Sequence, residues 1–213
     1  MKKIFAIALI AILALSLLTA CGDNSGGDTN SGGDSKQDAG VIKASELISL
    51  EDAARILGQE VAVDEKKNDK IDKMTPGSIE ILYDSIDTSS IRYISVTLYQ
   101  NALLDPNSLA GKGLLDTGGI SSYNARIKTD RESKEGALVI DGVGDWACIT
   151  AWESMGRRVG TIEIAYGDYC IAVTINGSPN YETASEEETV AWQNGKLTDA
   201  GKLALERLAA IVG

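Results

Sequence analysis

Val159-Gly160-Thr161-Ile162-Glu163-Ile164-Ala165-Tyr166-Gly167-Asp168-Tyr169-Cys170-Ile171-Ala172-Val173-Thr174-Ile175-Asn176 is the stretch on which the fold turns. Two runs rich in β-branched residues flank Gly167-Asp168, a pair suited to a two-residue turn. With Tyr166 opposite Tyr169, Ile164 faces Ile171 and Ile162 faces Val173, so the hairpin has one apolar face. Upstream, Asp145 to Trp152 predicts another strand, with a short one at Ala137 to Asp141. Ser78 to Ser85 alternates Ile79, Ile81 and Tyr83 with Glu80 and Asp84, and Ile91 to Gln100 is β-branched and aromatic.

Helical signals lie between and at the ends of these strands. Ser49 with Asp52 reads as a cap, Leu50, Ala53, Ala54 and Leu57 as the apolar face, and Gly58 as the stop. Asp105-Pro106 can start a short helix that Gly111 and Gly113 weaken. Ser185 with Glu188 predicts a short helix, and Thr198 a closing one through Leu203, Leu205, Leu208, Ala209 and Val212. Asp64 to Gly77 is charged and loop-like, and the polar run from Gly118 to Gly136 reads as a loop with an edge strand. The expectation is an α+β fold, an antiparallel sheet with helices packed on it. Its two halves also read as a divergent repeat, each a group of strands plus a helix.

Composition limits the chemistry. The chain has 213 residues, 44% hydrophobic and 24% charged, with a net charge of −11 and no histidine. That is the profile of a folded chain. Such an acidic chain repels phosphate backbones, so nucleic acid is not an expected partner. The absence of histidine removes every mechanism that needs a His base, a His metal ligand or a His switch.

The N-terminus has its own pattern. Lys2 and Lys3 precede Ile4 to Leu18, apolar at every position except Ser16. Fifteen residues fall short of the roughly 20 of a membrane-spanning helix, and suit the core of a secretory signal. The run ends in Leu18-Thr19-Ala20-Cys21, which resembles the lipobox of bacterial lipoproteins. The resemblance implies a diacylglyceryl group on the Cys21 sulfur, cleavage before Cys21, and a location on the cell membrane facing outside the cytoplasm. Losing residues 1–20 removes Lys2 and Lys3 and no acid, so the net charge passes from −11 to −13. Residues 22–40 hold six Gly, four Asp, three Ser, two Asn and only one apolar side chain, Ala39. A Gly-rich coil of this composition is a tether with a mean span of about 25 Å. The organisation expected is therefore a signal peptide over 1–20, a lipidated Cys21 with its linker to residue 40, and a single domain over 41–213. Ile140-Asp141-Gly142-Val143-Gly144-Asp145-Trp146-Ala147 and Leu50-Glu51-Asp52-Ala53-Ala54-Arg55-Ile56-Leu57-Gly58 are similar to segments of small uncharacterised bacterial lipoproteins, which implies a fold class and no particular activity.

Several motifs carry candidate chemistry. Gly142-x-Gly144-x-x-Ala147 has the glycine spacing of a dinucleotide fingerprint, but Asp145 and Trp146 stand where a helix N-terminus must receive an anion, so it reads as a tight turn. Asp141 and Asp145 flank that turn, and Trp146 and Trp152 share one strand face, opposite Ala147, Ile149 and Ala151. These four residues are the expected ligand or partner surface. Of Cys148 and Cys170, the meander places the first near Thr161 and the second opposite Ala165. That is about 9.5 Å apart across two strands and about 13 Å along them, too far for a disulfide. No cofactor and no metal site is expected, because the ligand spacings are missing. The functional expectation is a non-catalytic module that binds a small ligand or an envelope protein. The alternative is a carboxylate-dependent cell-wall or glycan hydrolase, which needs two acids about 5–10 Å apart in a cleft.

Overall fold

In this computed structural model, residues 40–87 and 92–213 are described. The apolar run, Cys21 and nearly all of the tether lie outside them. The strands are β1 (Val61–Val63), β2 (Lys70–Ile71), β3 (Ser78–Ser85), β4 (Tyr93–Gln100), β5 (Leu138–Val139), β6 (Trp146–Ser154), β7 (Arg157–Tyr166) and β8 (Tyr169–Asn176). They assemble into one antiparallel sheet in the order β1-β3-β4-β8-β7-β6-β5, with β2 beside β3. The helices are α1 (Ala44–Leu47), α2 (Leu50–Leu57), α3 (Leu109–Asp116), α4 (Gly119–Glu132) and α5 (Glu186–Val212). The class is α+β. Among the described residues no helix is long and apolar enough to cross a membrane.

The β7–β8 hairpin has the expected register, with Tyr166 opposite Tyr169, Ile164 opposite Ile171 and Ile162 opposite Val173. Its apolar face continues across β3, β4 and β6 through Ile81, Val96 and Ala147, and α1, α2 and α5 cover it. α5 lies close because Gly160 and Gly201 have no side chain. A Cβ on Gly201 would stand 2.9 Å from Ile164 Cδ1, and one on Gly160 2.8 Å from Leu197 Cδ1. The opposite face carries Trp146, Cys148, Glu163, Ala165, Cys170 and Tyr99 at one end, under α4. Beyond α4 that face becomes a polar row, Thr150, Thr161, Thr174 and Ser95, with Thr161 and Thr174 hydroxyls 2.7 Å apart.

Several features differ from expectation, beginning with β1, which was not foreseen, and β2, which lies within the expected loop Asp64 to Gly77. The run from Gly118 to Gly136 is largely α4. Its buried positions Ile120, Asn124 and Ile127, with Arg131 one turn on, form a stripe one residue wide. So narrow a stripe gives little periodic signal, and burial against the sheet stabilises the helix instead. The two C-terminal helices are one. Leu197, Ala200, Ala204 and Leu208 bury a continuous stripe, Val212 is exposed, and Thr198 sits inside the helix with its hydroxyl on Asn194 O. The expected Ser185–Glu188 capping box does form, and it starts the whole helix. In α2, Leu50 points to solvent and Ile56 takes its place in the core. Finally, the strands fall into two groups that meet at β4 and β8, but the helices after them cover opposite faces, so no strand-plus-helix repeat extends through the layers.

The Ser49–Asp52 capping box also ties α2 to α5. Asp52 is buried and accepts from Ser49, from Arg55 at 2.9 Å, and from Arg207 at 2.6 Å. Burial alone would raise its pKa; the hydrogen bonds from Ser49, Arg55 and Arg207 outweigh that and hold the carboxyl well below the usual range. A carboxyl depressed on folding stabilises above its unfolded pKa of about 4, and that contribution is lost as pH falls below it. Asp52→Asn is therefore expected to cost about 1–3 kcal/mol at neutral pH and to flatten the loss of stability between pH 5 and pH 2. Urea melts across that range check it; an unchanged pH slope would refute the assignment.

Candidate functional site

The four residues expected to share a surface separate into two places. Asp141 and Asp145 lie exposed in the turn before β6. There Gly142 and Gly144 have φ of 71° and 62°, and a Cβ on Gly144 would meet Ala165 O at 2.4 Å. The glycine motif is thus a close backbone approach, followed by strand β6 rather than by a helix. The Asp145 carboxylate accepts from Gly167 N at 2.7 Å and its amide donates to Ala165 O at 2.8 Å, pinning the turn to the β7–β8 hairpin. Trp146 is buried under α4, its indole N–H donating to Glu132 at 2.9 Å. Trp152 faces the same way as Trp146 but stands six residues along β6, about 20 Å away. It is 49% exposed.

Under α4 lies a charged pair. Glu163, 5% exposed, receives Arg131 through both Nε and Nη2, the latter at 3.0 Å. The hydrogen bond to Glu163 raises the Arg131 pKa against the opposing effect of burial. Cys148 and Cys170 are buried beside the pair as free thiols. Burial first, and the Glu163 charge second, push both thiols up, so neither is an activated nucleophile. Cys148 stands opposite Glu163, not Thr161, because the β6–β7 turn closes at Met155-Gly156. The offset from Cys170, which pairs with Ala165, is therefore two residues rather than four. Two interstrand spacings and this offset still separate the Cα atoms by about 12 Å.

At the far end of the sheet a cleft of about 490 Å³ opens between the β6–β7 hairpin and the start of α5. Trp152, Glu153, Arg157, Asn176, Tyr181 and Glu186 contribute to its lining. The register builds one wall: Trp152 pairs with Val159 and Val159 with Asn176, so the three stand in a row on one face. Val159 is fully buried and Asn176 nearly so. The Asn176 Oδ1 is buried and accepts no hydrogen bond. Tyr181, from the segment between β8 and α5, lies under the Arg157 guanidinium, 4.9 Å from ring centroid to charge. Arg158 is turned to the other face and held by Gln193 and Asn194.

Sequence reasoning found Trp152 and missed Arg157, Asn176 and Tyr181. No local motif joins residues 152, 157, 176 and 181; only strand pairing brings them together. A second recess of similar volume is lined by Lys66, Lys67, Lys70 and Lys73 with Asp72 and Glu80, and Lys67 is paired with Glu80 at 3.0 Å. Among the described residues no group of acids, cysteines or histidines is arranged to hold a metal ion. No protein-family model matches this chain, and no curated protein and no solved structure matches it either.

Proposed function

We propose that this chain is a lipid-anchored extracytoplasmic binding protein, tethered through Cys21 and presenting the Trp152 cleft to a ligand of the cell envelope. The anchor reading rests on the basic start, the short apolar run and the lipobox-like Leu18-Thr19-Ala20-Cys21. The binding reading rests on one observation: an open cleft holding a half-exposed indole and a buried amide oxygen without a donor. Large apolar surface and an unmet polar atom in one concavity are the features of a recognition site. The hydrolase reading draws on Asp141 and Asp145, and the Asp145 carboxylate is occupied by Gly167 N.

A photo-reactive phenylalanine analogue in place of Trp152, carried by the full chain in its own membrane, tests the binding reading. Illumination is expected to yield a discrete adduct from position 152 and none from Leu109, which is 96% exposed and lies outside the cleft. Equal adducts at both positions, or none at either, would overturn it.

A further inference from the structure

We propose that the ligand of the Trp152 cleft is a neutral glycan, one sugar ring lying on the indole and a hydroxyl or N-acetyl N–H donating to Asn176 Oδ1. This rests on the reading of the cleft as the binding site. Four observations select the class. The first is the aromatic surface. Trp152 leaves half of its area open in a cleft that also carries polar and charged side chains. A pyranose ring matches such a place, because one of its faces is C–H and its rim is hydroxyl. Tyr181, under the Arg157 guanidinium, contributes a second ring to the lining.

The second observation is the direction of the missing hydrogen bond. Asn176 Oδ1 is a buried acceptor with no donor, so a ligand group that reaches it must be a donor. Carboxylates and phosphates bring acceptors only, whereas every glycan hydroxyl can donate. The third is charge. Glu153 and Glu186 balance Arg157 and Arg158 around the cleft. Arg158 is held by Gln193 and Asn194, and Arg157 lies with the face of its guanidinium over Tyr181. The fourth is size and spacing. About 490 Å³ falls within the roughly 300–1,000 Å³ of small-ligand sites. Trp152 and Asn176 lie two strands apart, about 10 Å between Cα atoms, a gap that a sugar ring and its substituents bridge.

Isothermal titration of the full-length protein, held in a zwitterionic detergent without sugar headgroups, tests this with tri-N-acetylchitotriose and with cellotriose. Saturable binding of at least one trisaccharide is expected, with a Kd of about 10 µM to 1 mM. Trp152→Ala is expected to weaken it about tenfold or more, and Trp152→Phe to retain most of it. Trp152 is half-exposed, so unchanged circular dichroism of the alanine variant confirms that the loss is local. Asn176→Ser, which replaces the amide with a smaller group, is expected to weaken binding independently. No binding of either trisaccharide, or binding that Trp152→Ala leaves unchanged, overturns the glycan assignment. A protein rather than a glycan adduct from position 152 overturns it too, while leaving the binding reading intact.

Discussion

Cys21→Ala is expected to abolish all fatty-acid labelling of the protein and to leave residues 1–20 attached. In cells fed an alkyne-bearing fatty acid, the native chain should carry the label and show the mass of a chain that begins at Cys21 plus its lipid. The variant should carry none and keep the precursor mass. On the lipoprotein reading the effect is all-or-none, because the sulfur itself would form the thioether bond and no neighbouring residue could replace it. The same reading calls for more than one chain. Each buried methylene contributes about 0.8 kcal/mol, so one acyl chain holds only marginally and two hold stably. Cys148→Ala and Cys170→Ala are the controls. Both thiols are buried in the folded domain, so label should persist in each. Label surviving in Cys21→Ala, or cleavage at another peptide bond, would remove the lipoprotein reading.

Arg131→Ala is expected to be the most damaging single change to the folded domain, at about 3–5 kcal/mol. It leaves Glu163 charged, 5% exposed, and flanked by Cys148, Ala165 and the helix that covers them. Domains of this kind have about 5–15 kcal/mol of stability in all, so the loss is a large share. The cost comes from the stranded charge rather than from the lost attraction. One consequence follows. Removing both charges, as Arg131→Met with Glu163→Leu, should recover most of the loss. Urea unfolding of the single and double variants measures it. A single-variant loss below about 1 kcal/mol, or a double variant no better than the single, would show that the pair is solvated and of little consequence.

The parts of the fold that were legible are those in which neighbouring residues carry the whole signal. The Gly167-Asp168 turn sets the hairpin register through backbone geometry, so Ile162 and Val173 had to meet. The Ser49–Asp52 and Ser185–Glu188 boxes are local hydrogen bonds, and both formed where the residues stand. α4 was not legible, because its helix depends on burying Ile120, Asn124 and Ile127 against a sheet face made by residues up to 170. Thr198 and Gly195 interrupt α5 by propensity, but Leu197, Ala200, Ala204 and Leu208 bury through them, and burial outweighs a propensity penalty of about 1 kcal/mol.

By itself the sequence determined the α+β class, the central hairpin, two helix starts and a pattern at residues 1–21 that reads as an exported, lipidated N-terminus. It also placed Trp146 and Trp152 on one strand face, because side chains alternate along a strand. Only the tertiary structure decided that α4 buries the first and leaves the second open. It alone set Asp145 to a backbone duty, paired Arg131 with Glu163, and gathered Trp152, Arg157, Asn176 and Tyr181 around one cleft. The reason is the range of the forces. Turns and caps are fixed within a few residues, whereas burial and strand pairing join positions that the chain itself keeps far apart.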